Sequence, residues 1–177
     1  APFIKILENN CYQKELLIDE DYRLSKNINL DRFLSPINKS TNFTFNNFFR
    51  KITKNKNKTL KILEIKGRTI KIENFYDRVV KFSFNELCDQ NLGSEDYISI
   101  ANNCDFIFIE NLPDFNENNS NQQQRFITLI DIIYEKKIPL MLTSQVNLGL
   151  IKSSKNMLQP FKRTISRLYE LTSIIYD

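Results

Sequence analysis

The chain has 177 residues, 41% hydrophobic and 26% charged, which is enough apolar material for a sizeable core and too balanced for wholesale disorder. It contains no histidine, so Ser-His-Asp and Cys-His nucleophiles and any His-ligated metal site are excluded. The formal net charge is +4, the longest apolar run is four residues (106–109) against the ~20 that a bilayer-spanning helix needs, and three scattered cysteines (Cys11, Cys88, Cys104) suit a reducing compartment better than a disulfide framework or a zinc cluster.

Residues 2–10 read as a short helix with Pro2 in its first turn, residues 12–18 as a strand and 19–21 as a turn. No basic n-region precedes an apolar stretch of the signal-peptide kind. The chain opens on Ala1, which is the expectation for a processed product or a piece of a longer protein. Residues 35–42 are polar and read as a loop, and 43–52, with four phenylalanines, as a short amphipathic helix. A β-hairpin follows: Leu60, Ile62 and Ile65 precede Lys66-Gly67-Arg68, and Ile70 and Ile72 follow with a period of two. Residues 79–84 alternate as well and supply a third strand. Residues 84–89 and 94–102 read as helices, with Ser94 as a cap for the second.

The clearest unit is β-α-β. Residues 106–109 form a continuous apolar strand of the type buried in a parallel sheet. Residues 116–124 read as a low-complexity Asn/Gln loop. In the helix after it, Phe126, Leu129, Ile130, Ile133 and Tyr134 fall at i, i+3, i+4, i+7 and i+8, a core-facing stripe, with Lys136 and Lys137 at its C-terminus, where the helix dipole favours cations. Pro139 leads into a strand over 140–143, which a crossover connection sets parallel to the first. Residues 156–176 read as a long helix entered near Pro160, with Phe161, Ile165, Leu168 and Thr172 on one side and Arg163, Arg167 and Glu170 on the other. The pattern predicts an α/β fold: a hairpin region (about 59–84), a β-α-β-α unit (about 104–177) and a long C-terminal helix.

Chemistry is sparse. Gly67, Gly93 and Gly149 are the only glycines and none is followed by Lys, so the chain holds no G-x-x-x-x-G-K-[ST] phosphate loop. The 106–109 strand ends in Glu110-Asn111, and Asn111 cannot supply the second carboxylate of a Walker B strand; Thr143-Ser144-Gln145 closes the next strand, as a polar sensor or as a structural cap. Asp21-Tyr22-Arg23 either anchors a phosphate or an interface, or closes a turn by a local salt bridge. Arg163 and Arg167, one helical turn apart, form a permanently charged pair suited to carboxylates or phosphates, and Glu170 is spaced to pair with Arg167 on the helix surface. The cysteines have no visible activating base and read as buried small hydrophobes. The basic surplus lies at 50–71, where Lys51, Lys54, Lys56, Lys58, Lys61, Lys66, Arg68 and Lys71 face Glu64 alone; it reads as a lysine-guarded hairpin edge or as a patch attracting nucleic acid or anionic lipid.

Seven segments in order carry a family resemblance: Pro2-Phe3-Ile4; Asp21-Tyr22-Arg23; Gly67-Arg68; Phe-Ser-Phe-Asn-Glu-Leu-Cys at 82–88; Leu-Gly-Ser-Glu-Asp-Tyr at 92–97; Arg-Phe-Ile-Thr-Leu-Ile-Asp at 125–131; and Arg-Thr-Ile-Ser-Arg-Leu-Tyr-Glu at 163–170. Across essentially its whole length the chain resembles the C-terminal half of the ZapE-type, ATPase-family-gene-one-like AAA+ P-loop ATPases. Leu171 stands where that family usually has Met, Gln122-Gln123-Gln124 replaces a more charged lead-in, and 35–59 matches weakly. The resemblance implies that residues 1–34 end the ATPase core and 35–177 form a family-specific C-terminal region. It implies that the complete protein binds ATP and Mg2+ through parts upstream of this chain, and that the chain alone binds neither and is inactive. The run 106–143 reads as a degenerate echo of a Walker B-to-sensor unit. No catalytic residue carries over; Arg163 and Arg167 are the candidates for nucleotide sensing or an intersubunit contact, with Asp21, Arg23 and Glu170 as structural or interface candidates. The implied partners are the ATPase half of the same protein, protein clients or division proteins, and further copies of the chain, with nucleic acid the alternative partner of a stand-alone, non-enzymatic binding module. The implied setting is cytoplasmic and peripheral to the inner membrane in bacteria, or mitochondrial in eukaryotes.

Overall fold

A computed structural model describes residues 32–174. The expected helix at 2–10, strand at 12–18 and turn at 19–21 lie outside the described residues, as do Asp21 and Arg23. In chain order the elements are β1 (Phe33–Leu34), α1 (Lys39–Thr53), β2 (Lys58–Ile65), β3 (Arg68–Tyr76), β4 (Val79–Ser83), α2 (Phe84–Cys88), α3 (Ser94–Asn102), β5 (Phe106–Leu112), α4 (Ser120–Glu135), β6 (Leu140–Ser144) and α5 (Leu158–Leu171). The six strands form one sheet in the order β1-β6-β5-β4-β3-β2. The β1, β6, β5 and β4 neighbours are parallel, while β4, β3 and β2 form an antiparallel meander. The expected α/β fold, hairpin, β-α-β unit and C-terminal helix are all present.

Two-residue turns build the meander. At the first, Lys66 (φ 48°) and Gly67 (φ 79°) both take left-handed backbone, which matches the right-handed twist of the flanking strands. At the second, Asp77 (φ 47°) and Arg78 (φ 74°) do the same without a glycine. Arg78 is held there because its Nε donates to Asp105 Oδ1 (2.9 Å), its Nη2 donates to Asn102 O (3.2 Å) and its carbonyl accepts the Asp105 N–H (2.7 Å).

β5 is the axis of the core. Phe106, Ile107, Phe108 and Ile109 are all buried. Alternation sends Phe106 and Phe108 to the face covered by α1, where Phe45 and Phe49 meet Phe108 edge-on at 5.5 and 5.0 Å between centroids. Ile107 and Ile109 face the opposite layer and join Phe84, Phe115, Phe126 and Phe161 from the elements packed there.

Several boundaries differ from expectation, each for a local reason. α1 begins at Lys39 rather than 43, because Asn38 and Thr41 form a reciprocal capping box (Thr41 N–H to Asn38 Oδ1, 3.0 Å; Asn38 N–H to Thr41 Oγ1, 2.9 Å). The cap of α3 is Gly93 and not Ser94: the Asp96 carboxylate reaches back to the Gly93 N–H at 2.8 Å. The Asn/Gln stretch is mostly helix, since α4 starts at Ser120. Gln123 is fully buried there, donating to Ser153 Oγ (2.7 Å) and accepting the Ser154 N–H (3.1 Å). α4 ends with Lys137 in left-handed backbone (φ 53°), and the Ile138 N–H reaches Ile133 O while the Lys137 N–H reaches Tyr134 O. α5 starts at Leu158, with Pro160 in its first turn, where a missing N–H costs nothing, and stops at Leu171 rather than 176.

That stop involves Arg32, which the sequence alone did not single out. Its buried side chain donates from Nε to Leu140 O (2.9 Å) and from Nη2 to Leu171 O (3.0 Å), and its backbone N–H bonds Thr172 O at 3.1 Å. A cation thus sits at the negative end of α5 and ties it to β6. Arg32→Met is expected to lower the unfolding free energy by about 2–3 kcal/mol in urea titrations, because the carbonyls it serves stay buried. A loss below about 1 kcal/mol would contradict this role.

Candidate functional site

α4 and α5 pack side by side, and their facing polar edges meet at Asp131. Arg163 and Arg167, one turn apart on α5, both reach it: Arg163 Nη2 donates to Oδ2 at 3.2 Å, and Arg167 Nη1 donates to Oδ1. Each carboxylate oxygen therefore holds one guanidinium. Arg167 also lies over the Tyr134 ring (4.6 Å to the centroid), and Lys137 Nζ sits against the same ring at 3.7 Å. Glu170 lies 4.0 Å from Lys137 Nζ, across to α4, rather than pairing with Arg167 along its own helix. The two arginines differ in setting: the Arg163 side chain is 55% exposed and that of Arg167 23%.

Asp131 ends one of the segments that carry the resemblance, and Arg163 opens another. The other described segments are linked in the same way. Arg68, beside Gly67 in the hairpin turn, forks onto the fully buried Asp96 of α3 (3.0 and 3.1 Å). The neighbouring Tyr97 donates its hydroxyl to Leu87 O of α2 at 2.6 Å. Arg125 of α4 donates to Cys88 O at the end of α2 (3.0 Å). A relay of side-chain bonds thus runs from the hairpin turn through α3, α2 and α4 to α5; apart from the short Tyr97–Leu87 step, each link joins residues far apart in sequence.

The ends of β5 and β6 are occupied by structural bonds. Asn111 (φ 63°) turns its N–H to Thr143 Oγ1 at 3.0 Å. Ser144 Oγ donates to Leu112 O (3.0 Å) and accepts the Val146 N–H (3.2 Å). Glu110 faces Lys81 Nζ at 3.9 Å. The carboxylate at the strand end already faces an ammonium, and no group of three or more His, Cys, Asp or Glu side chains converges among the described residues. Of the glycines, Gly67 sits in the hairpin turn, the N–H of Gly93 is taken by Asp96, and Gly149 lies in a single 3-10 turn.

The basic run at 50–71 divides in space. Lys66 pairs with Glu95, Arg68 with Asp96 and Lys56 with Asp77, while Lys61 Nζ lies over the Phe75 ring at 5.7 Å. Arg50 and Lys51 occupy the last turn of α1, the dipole end that favours cations. Burial pushes the Cys88 and Cys104 thiols up to about 12, with the Tyr97 hydroxyl and Arg125 opposing weakly at Cys88. Both stay protonated and inert near neutral pH.

Two measurements check these assignments. Urea titrations of Asp131→Asn, Arg167→Ala and Arg163→Ala are expected to show losses in that order, from about 2 kcal/mol for Asp131→Asn to about 0.5 kcal/mol for the exposed Arg163. For the thiols, the raised folded values mean that the unfolded chain ionises first, so their contribution is intact below pH 9 and declines as pH climbs from 9 toward 12. Stability is therefore expected to fall across that window, and less steeply when Cys88 and Cys104 are replaced by Ala.

The AFG1-like ATPase family model matches residues 1–177. The Escherichia coli K12 protein named cell division protein ZapE is 25% identical over 175 residues, covering 99% of this chain and 47% of its own length. The zebrafish (Danio rerio) lactation elevated protein 1 homolog B is 28% identical over 161 residues, 89% of this chain and 32% of its own. The chain thus spans 47% and 32% of the lengths of these two relatives. No solved structure matches it significantly. With that family model matched over its whole length, the chain belongs to the AFG1-like ATPase family.

Proposed function

We propose that this chain is the C-terminal part of a ZapE-like ATPase that couples ATP hydrolysis to the remodelling of protein partners, in bacterial division or in mitochondrial inner-membrane quality control. The observation that carries the reading is the family match over all 177 residues. On this reading the rest of the protein grips the nucleotide, and this part supplies a rigid sheet and helix layer through which the resulting motion is passed to clients. The expected setting is cytoplasmic, peripheral to the inner membrane, or mitochondrial.

In this reading Arg163 is the group offered outward. Its guanidinium has five N–H donors, one of which bonds Asp131, and its side chain is half exposed. It can face the phosphates of a bound nucleotide, or an acidic patch on a neighbouring subunit, where a planar cation stabilises developing charge. Arg167, more buried and stacked on Tyr134, acts as a positioning residue that keeps Asp131 and α5 in place.

The test uses the complete protein. Arg163→Ala is expected to lower ATP turnover or oligomerisation by at least about tenfold while leaving thermal stability nearly unchanged. Arg167→Ala should lower stability as well. Unchanged turnover and unchanged assembly in both variants would overturn the assignment of the arginines. ATP hydrolysis by the pure 177-residue chain would overturn the division of labour.

A further inference from the structure

β2 closes one end of the sheet, and no strand among the described residues pairs with its outer side. The two-residue turn sets Ile65 opposite Arg68, Leu63 opposite Ile70 and Lys61 opposite Ile72. In such a hairpin the residues that close the turn exchange both backbone bonds. The odd-numbered residues of β2 therefore aim N–H and C=O at β3, and Leu60, Ile62 and Glu64 aim theirs outward. The same three share the solvent face: Leu60 is 55% exposed, Ile62 50%, and Glu64 is exposed. The register shift between Thr59 and Lys61 places the extra residue on β3, so β2 itself runs unbroken through eight residues without Pro or Gly.

An open edge of this kind is a template for another strand. The sequence of β2, Lys-Thr-Leu-Lys-Ile-Leu-Glu-Ile, is complementary to itself when laid antiparallel about a two-fold axis through Lys61. In that register Leu60 stands opposite the second copy's Ile62 and Lys58 opposite its Glu64, and the symmetry makes each pair twice. All of these are outward-facing residues, as a hydrogen-bonded ladder requires. Shifting the register by two puts Leu60 against Glu64 and Lys58 against Lys66, which loses both matches. Lys58 and Glu64 make no ion pair among the described residues, so their charges are available. The axis brings Lys61 against its own copy, a cost eased because its Nζ leans back over the Phe75 ring.

We propose that two copies of this chain associate through their β2 edges, antiparallel and centred on Lys61, joining two six-stranded sheets into one. The patch is small, so the dimer is weak and concentration-dependent, and raising the salt loosens it by screening the Lys58–Glu64 pairs.

Sedimentation equilibrium of the 177-residue chain tests this, over about 10 μM to 1 mM. The wild-type chain is expected to shift from monomer to dimer across the range. Ile62→Pro removes an outward N–H without touching the intramolecular ladder, and should weaken association at least tenfold with an unchanged circular dichroism spectrum. Lys58→Glu and Glu64→Lys should each weaken it several-fold, and the double swap should bring it back to near the wild-type value. A chain that stays monomeric throughout overturns the proposal, whatever other strand the edge then accepts. So does a dimer that ignores both Ile62→Pro and the charge swap. If Ile62→Pro fails to fold, the swap alone decides: restoration in the double variant supports the pairing, and its absence overturns it.

Discussion

A strand buried on both faces can carry no unpaired polar group, and β5 imposes that constraint on everything around it. Its phenylalanines need a cover on one side and its isoleucines a cover on the other. α1 supplies the first through Phe45 and Phe49, and the helices that follow β4 supply the second. Just past the end of its apolar run, at Asn111, the backbone turns into left-handed conformation and hands its N–H to Thr143. The strand ends that resembled a degraded nucleotide site are thus where the sheet satisfies its last backbone groups.

The described segments that mark the family have a common physical task. Arg68–Asp96, Tyr97–Leu87, Arg125–Cys88 and Asp131–Arg163/Arg167 link the hairpin turn to α5 through the intervening helices. Each link uses a directional, charge-assisted or buried bond, which fixes the angle between two elements more tightly than apolar packing does. That suits a part proposed to receive motion from a nucleotide-driven half and pass it on.

Much of this was legible beforehand. The hairpin, β5, the apolar stripe of α4 and β6 follow from strong periodicity, and the exclusion of His-dependent nucleophiles and His-ligated metal sites follows from composition. The edges of elements were harder to read. Asn38 extends α1 by a turn through a capping box with Thr41, and Gln123 turns a low-complexity run into helix because its amide finds partners near Ser153. Glu170 sits three residues from Arg167, yet Lys137, just past the end of α4, lies within reach of it, and Asp131 takes the arginine. Spacing along one helix cannot weigh a competitor on another.

By itself the amino-acid sequence determined which residues alternate, which face of each helix is apolar, what chemistry is impossible, and the family. Those are local or compositional properties, set by periods of 2 and 3.6 and by which side chains exist. Only the tertiary structure decided that Arg163 and Arg167 share one carboxylate, that Arg32 closes the end of α5, and that the even-numbered face of β2 is left open. Each depends on groups brought together from distant parts of the chain, and such meetings are settled by the packing of whole layers rather than by any pattern within one segment.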